Sequence, residues 1–246
     1  MNHASMTGGS STTLARALGW LVAIPFFVAG VMTTLLELDV TASPPRETPP
    51  NDLVEGTLAF FENESERWPQ ELTSLLLFTA GFLALIGLVV MVRDAVSRDD
   101  PRIMLGTLAI GVGAGIGAVG QLLFLGAKEV GIDPHYCDCV RAAEQIISRG
   151  QTLGMIDNAQ RWLVVGFLGL ASAGLFLIWR ATSDRGVFSR SWRGLTLGLA
   201  MVLVVGVIAF VLQLDVLSDA FTSVGAVLLI PIWAVMAARQ LPTIRS

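Results

Sequence analysis

The chain has 246 residues, of which 53% are apolar and 15% are charged, and its mean hydropathy is +0.67. Because soluble domains carry about a quarter charged residues, this composition is typical of a membrane protein. The two cysteines and two histidines exclude a disulfide framework, a four-thiolate metal site and haems bound by paired histidines. The formal net charge of -4 gives no basic surface, so we expect no nucleic-acid partner.

Six apolar stretches are long enough to cross a lipid bilayer as helices. A helix of about 20 apolar residues spans the hydrocarbon core and satisfies its backbone hydrogen bonds internally. The stretches predict an all-α fold, a single polytopic transmembrane helix bundle over residues 1–246, with external loops at 37–71 and 128–161. The predicted spans are residues 17–36, 72–91, 103–127, 162–179, 194–214 and 220–238.

The charged residues divide unequally between the two sides of this arrangement. With both termini inside, the cytoplasmic segments hold ten of the 16 Lys and Arg residues and four of the 20 acids. The cytoplasmic side then has a net charge of +6 and the opposite side -10. Since short cytoplasmic loops are rich in Lys and Arg, we expect a multi-pass protein of the cell membrane with cytoplasmic termini.

Residues 1–42 also have an alternative interpretation as a cleaved signal peptide, because residues 40–42 (VTA) fit the small-residue cleavage pattern. The apolar run is longer than the core of about 7–15 residues that signal peptides use, and Glu37 and Asp39 follow it directly. We therefore expect the first span to be retained. Cleavage would leave five spans and the same orientation.

The first external loop begins with the proline-rich residues 41–52, which exclude a regular helix. Residues 53–68 then place apolar side chains at near-helical spacing between acids. This pattern predicts a short amphipathic helix that either lies on the membrane surface or packs on the span ends.

The second external loop contains the reactive side chains His135, Cys137 and Cys139. The Asp133-Pro134 pair predicts a helix start, and Gly150 predicts its end. On that helix His135 and Cys139 share a face, which could begin a metal site or supply a reactive thiol. Because the chain offers few further ligands, we expect no cofactor, with a metal or redox role at this loop as the alternative.

The central parts of the six spans contain no Asp, Glu, Lys, Arg or His. Their absence argues against ion pumps and proton relays, which keep such groups at mid-membrane. We expect the remaining polar groups to form hydrogen bonds between helices rather than to contact a ligand, and the tryptophans to form an interfacial belt. The polar groups are Thr33, Thr34, Thr79, Gln121, Ser172, Gln213 and Ser223.

The third predicted span is rich in glycine. Residues 115–120 match the dinucleotide-binding pattern G-x-G-x-x-G, but that pattern needs a soluble strand and helix around it. Gly111 with Gly115, and Gly113 with Gly117, instead form small-xxx-small pairs that let neighbouring helices approach closely. We therefore expect this helix at the centre of the bundle.

Two further local features are predicted near the end of the chain and in the first span. Residues 215–218 are expected to form a tight turn between the fifth and sixth spans. Pro25 and Pro231 are expected to kink the first and sixth spans.

The last third of the chain has a distinctive layout: a fourth span ending in Arg180, the segment RSWRGL at 190–195, a glycine-rich fifth span and the closing helix IPIWAVMAAR at 230–239. Over roughly residues 160–240 this layout resembles a group of bacterial six-span proteins classified as a domain of unknown function. The resemblance implies a bundle of the bacterial inner membrane and assigns no catalytic residue.

Three functions remain open. The charge-free spans and the glycine-rich helix favour a non-enzymatic scaffold or accessory subunit, whose partners are the lipid bilayer and other membrane subunits or a second copy. The first alternative is a carrier or binder of a small apolar ligand such as a lipid or quinone. The second is a redox or metal protein that uses His135, Cys137 and Cys139.

Overall fold

The computed structural model describes residues 7–37, 53–97, 99–132 and 143–244. Of these residues 95% are helical, and six helices are long and apolar enough to cross a membrane. The chain is thus an integral membrane protein built from helices, as its hydropathy predicts. His135, Cys137 and Cys139 lie outside the described residues.

The helices follow one another with short connections on one side of the bundle. Their bounds are α1 Thr7–Glu37, α2 Leu53–Val96, α3 Pro101–Ile132, α4 Ala143–Arg185, α5 Arg190–Val211, α6 Asp215–Ser223, a π-helical segment Val224–Leu229, and α7 Ile230–Ile244. The last three form one span, which covers Val216–Leu241.

The six spans form a ring in chain order. Each of α1 to α5 packs against the next span, and α7 and the π-helical segment return to pack against α1. At one end of the ring, around Asp100, large side chains fill the centre: Trp192 stacks between Phe188 and Trp233 with ring centroids 4.0 and 5.7 Å apart. Trp192 and Trp233 are therefore core residues, and the expectation of an interfacial belt is wrong for them.

The glycine-rich α3 does not lie at the centre of the bundle, so the position expected from its sequence is wrong. Among the described helices it packs mainly against α2 and α4, and Leu108, Val112 and Val119 on it are exposed. The span in α2 is 50% buried, against 39% for the span in α3. Because α2 also contacts α4 and α7 across the ring, it takes the central position.

The helices α2 and α4 are much longer than their predicted spans. Residues 53–68 continue into the second span through Pro69, and α4 runs through Gly150, so the predicted stop at Gly150 is wrong. At 1.5 Å per residue the two helices are about 65 Å long, roughly twice the hydrocarbon thickness. Their projecting ends pack together through Phe61 and Leu153, and Gly150 lies against Thr57.

The fifth and sixth spans join at a turn that precedes the predicted one. α5 ends at Val211 with Leu212 as its C-cap, Gln213 adopts a left-handed conformation with φ 58°, and residues 215–218 already belong to α6. Within the sixth span the backbone widens into a π-helical segment two residues before Pro231. Such a widening accommodates a proline, which lacks an N–H and crowds the preceding turn. The kinks expected at Pro25 and Pro231 stay predictions.

Candidate ligand cavity

A cavity of about 670 Å³ opens in the centre of the ring at the end opposite Asp100, and we call this the cavity end. All six spans contribute to its wall, as do the first projecting residues of α4. Its volume is within the range of about 300–1,000 Å³ that small-molecule sites occupy. The cavity exists because ring neighbours pack side by side at this end while no large side chain fills the centre.

Phenylalanine rings form the floor of the cavity. Phe26 makes edge-to-face contacts with Phe78 and Phe82, with ring centroids 5.7 and 5.1 Å apart, and Phe82 makes another with Phe167 at 4.7 Å. Such contacts stabilise aromatic clusters beyond simple burial. The rings link α1, α2 and α4, so the floor is a fixed apolar surface.

Two hydroxyl groups of the wall are bonded within their own helices. Thr34 Oγ1 donates to the Gly30 carbonyl at 2.9 Å, and Ser74 Oγ donates to the Glu71 carbonyl at 2.9 Å. Thr79 and Ser172, away from the wall, likewise bond to carbonyls of the preceding turn. For Thr34, Thr79 and Ser172 the expected hydrogen bonds between helices are thus replaced by local ones, which satisfy a hydroxyl without a second helix. Ser218 on α6 does bond across helices, because its Oγ donates to the Gly206 carbonyl of α5 at 3.4 Å.

Gln121 differs from these hydroxyls. Its side chain lines the cavity, is 6% exposed, and forms no hydrogen bond with any residue that the structure describes. A buried amide can donate two hydrogen bonds and accept two more. The donors and acceptor of its amide are therefore available to a molecule in the cavity. The bond to another helix that the sequence predicts is not formed with any described residue.

Charged side chains surround the mouth of the cavity. Lys128 forms an ion pair with Glu71, and the two side chains are 9% and 20% exposed. The Lys128 ammonium also lies 4.8 Å from the centre of the Phe124 ring, a favourable cation–π arrangement. Arg161 pairs with Asp157 at 3.3 Å in a more exposed position. Of the other residues that the structure describes, Arg67 and Asp219 also line the cavity.

One feature of the sequence indicates a charged pair at this mouth. Lys128 is the only lysine in the chain, and it follows an uncharged stretch of about 25 residues. Its partner Glu71 precedes the second span by one residue, so both groups lie where two span ends meet. Pairing between them could have been proposed, but the cavity beside them depends on the ring closure.

The glycines of α3 have two different environments. A Cβ atom added to Gly113 would lie 3.1 Å from Leu170 Cβ of α4, and one added to Gly117 would lie 2.7 Å from Phe82 Cζ of α2. Gly111 and Gly115 have no heavy atom within 4 Å of such a Cβ. Gly113 and Gly117 therefore lie at helix contacts, whereas Gly111 and Gly115 face away from the described bundle.

The described residues contain no group of three or more His, Cys, Asp or Glu side chains placed to hold a metal ion. The predicted ligands His135, Cys137 and Cys139 are not among those residues. The metal or redox role of this segment stays a prediction.

A second charged cluster lies at the opposite end of the ring. Asp100 Oδ1 accepts a hydrogen bond from the Arg102 backbone N–H at 2.9 Å and caps α3. Asp100 Oδ2 also pairs with Arg102 at 3.2 Å and with Arg185 at 3.1 Å. Hydrogen bonding from Arg102, more than the nearby positive charges, holds the pKa of Asp100 below its ordinary value despite burial. This cluster ties the connection between α2 and α3 to the end of α4.

No family model matches the chain, and no curated protein or solved structure is significantly similar to it. The resemblance of residues 160–240 to bacterial six-span proteins accordingly remains a prediction. Among the described residues, the cavity and its lining are therefore the strongest indication of function.

Proposed function

We propose that the protein binds a small amphiphile in the cavity, with the apolar part of the ligand against the phenylalanine floor and its polar part towards the charged mouth. The observation that carries this proposal is a cavity of ligand size to which all six spans contribute. A bundle whose task is only to pack would gain stability by filling this space, because close-packed interiors gain dispersion energy.

Cavity filling tests this proposal directly. Ser74 is 5% exposed and lines the cavity, whereas its neighbour Thr73 is exposed and does not. Both hydroxyls bond to a carbonyl of their own helix, so the two positions are matched. We expect Ser74→Phe to abolish retention of a small molecule that co-purifies with the wild-type protein, and Thr73→Phe to preserve it.

The readout is native mass spectrometry of protein extracted with its surrounding lipids, followed by identification of the released molecule. Equal retention by both variants, or no retained molecule in the wild-type protein, would count against the proposal. Thermal unfolding of both variants checks that the phenylalanine at position 74 is accommodated.

We further propose that the cavity end faces away from the cytoplasm. The support is the distribution of cations: the connections on the Asp100 side contain Arg93, Arg98 and Arg102, then Arg185 and Arg190. Loops with such an excess stay on the cytoplasmic side. In this orientation the cavity takes its ligand from the outer leaflet or from the extracytoplasmic solution.

A scaffold or subunit role is the second candidate. It is supported by the face of α3 that includes Gly111 and Gly115, which contacts nothing in the described bundle and adjoins the exposed Leu108 and Val112. Small residues on an exposed helix face permit close packing with another membrane helix. We expect Gly115→Leu to reduce crosslinking to a second copy or partner if this role holds, and unchanged crosslinking would contradict it.

A further inference from the structure

We infer that the ligand is electrically neutral, either uncharged or zwitterionic, and that its polar group forms a hydrogen bond with Gln121. This inference rests on the proposed function and names the chemical class of its ligand. It follows from two independent features of the lining, the balance of its charges and the unused amide of Gln121.

The charges of the described lining residues cancel. Among the residues that the structure describes, three cations and three carboxylates line the cavity, so their formal sum is zero; they are Arg67, Lys128 and Arg161 with Glu71, Asp157 and Asp219. The least exposed of them, Lys128 and Glu71, are already paired with each other. An ion that leaves water needs a compensating charge. A ligand with a net charge that reaches Lys128 and Glu71 would have to break their pair, whereas a neutral ligand leaves that pair intact.

Gln121 identifies the polar group that the ligand presents. It lies seven residues before Lys128 on α3, about 10 Å below the charged mouth at 1.5 Å per residue. The amide of Gln121 is accessible from the cavity and is not a sealed polar group. A ligand that covers the amide without bonding to it would leave it without a partner, whereas a ligand that bonds to it avoids that cost. Because the amide both donates and accepts, a hydroxyl, ester, carbonyl or amide group on the ligand would be complementary to it.

The test uses four monoacyl amphiphiles that share one acyl chain and differ in the head group. The head groups are glycerol, phosphocholine, phosphoglycerol and trimethylammonium, which are uncharged, zwitterionic, anionic and cationic. Binding to the wild-type protein in nanodiscs is measured by native mass spectrometry. We expect the first two probes to bind about tenfold more tightly than the charged ones. A charged probe that binds as tightly as the neutral probes would overturn the inference.

Single charge changes at the mouth should alter this selectivity in opposite directions. Asp219→Asn leaves an excess positive charge and should strengthen binding of the anionic probe severalfold, whereas Arg161→Gln should do the same for the cationic probe. The double variant restores neutrality and should regain the wild-type order. Asp99→Asn and Arg190→Gln make the same charge changes at exposed positions of the opposite end, and they should change nothing.

Gln121→Leu tests the hydrogen bond. We expect it to weaken binding of the neutral probes about tenfold while thermal stability is kept, because Gln121 forms no hydrogen bond with the described residues. A loss of stability with unchanged binding would assign Gln121 a structural role and overturn this part. If no probe binds any variant, the proposed function fails as well; if all four bind equally, only the inference on ligand charge fails.

Discussion

Asp100 performs two tasks that depend on its charge, because it caps α3 and pairs with Arg102 and Arg185. Arg185 also donates to the Val96 carbonyl at 3.3 Å, which places it over the end of α2. A single carboxylate thus holds the junction of three helices at the Asp100 end. The pair Asp100-Pro101 has the same helix-start pattern as Asp133-Pro134, so the cap was predictable from sequence, but its two arginine partners were not.

Asp100→Ala should lower the free energy of unfolding by about 1 kcal/mol for the lost cap and by more for the lost arginine pairs. Asp100→Asn keeps a capping oxygen and should cost less. Asp99→Asn, at the exposed neighbouring residue, should stay within about 0.5 kcal/mol of wild type. Denaturation in mild detergent measures all three, and equal stability of Asp100→Ala and Asp99→Asn would contradict this role.

The stability that Asp100 gives to this junction should also fall at low pH. The pKa of Asp100 is lower in the folded protein than in the unfolded chain, so its contribution is present above the ordinary aspartate pKa of about 3.9 and is lost as pH falls below it. We expect the difference between wild type and Asp100→Asn to shrink at low pH. A difference that stays constant from neutral pH to below pH ~3 would show that the charge is not involved.

α3 and α4 approach each other closely at Gly106 and Gly174. A Cβ atom on Gly174 would lie 2.5 Å from the Gly106 carbonyl oxygen, and one on Gly106 would lie 2.8 Å from the Gly174 carbonyl oxygen. Backbone atoms cannot move aside as a flexible side chain can. Gly174→Ala should therefore destabilise the protein by about 1–3 kcal/mol, whereas Gly169→Ala, on the same helix and with no atom within 4 Å, should be neutral or slightly stabilising. Thermal unfolding distinguishes them, and equal effects would contradict this contact.

The turn between α5 and α6 contains the one described residue other than glycine with a positive φ angle, Gln213. The N–H of Leu214 bonds to the Ala209 carbonyl at 2.8 Å, and that of Gln213 to the Phe210 carbonyl at 3.0 Å. This pattern is a Schellman motif, whose left-handed position glycine normally occupies. Gln213→Gly should raise the free energy of unfolding by about 0.5–1 kcal/mol. Gln213→Ala keeps the Cβ atom and should not raise it. Equal stability of the two variants would contradict backbone strain at this position.

Hydropathy identifies the six spans because each must be continuously apolar, but it gives no information on helix residues beyond the bilayer. The continuation of α2 through Pro69 and of α4 through Gly150 depends on the packing of their projecting ends, where Phe61 meets Leu153. A glycine such as Gly150 does not end the helix when a tertiary contact, here with Thr57, stabilises the helical conformation. Sequence patterns therefore predict which segments are helical better than where each helix ends.

At the scale of the whole molecule, the ring of spans encloses a cavity that no single segment of the sequence predicts. The charge-free spans indicated an interior for packing or for apolar ligands, and they left this choice open. One end of the ring is filled by Trp192 and Trp233, and the other end is open above Phe26 and Phe82. The position of the cavity depends on which non-adjacent spans meet, so it could not be predicted without the structure.

The proposed orientation can be tested with native residues. α3 ends and α4 begins at the cavity end, and Cys137 and Cys139 belong to the sequence between these two helices. After mild reduction of intact cells, a membrane-impermeant maleimide should label them. In a variant without these cysteines, Asp99→Cys at the opposite end should be labelled only after the cells are permeabilised. The reverse pattern would place the cavity mouth in the cytoplasm.

The central claim is that the cavity is a ligand site, and an experimental structure of the protein in nanodiscs made from its own membranes tests it most directly. We predict density for one non-protein molecule that contacts Phe26 and Phe82, reaches Gln121 and leaves the pair of Lys128 with Glu71 intact. A cavity that is closed by side chains, or that holds only water, would contradict the account.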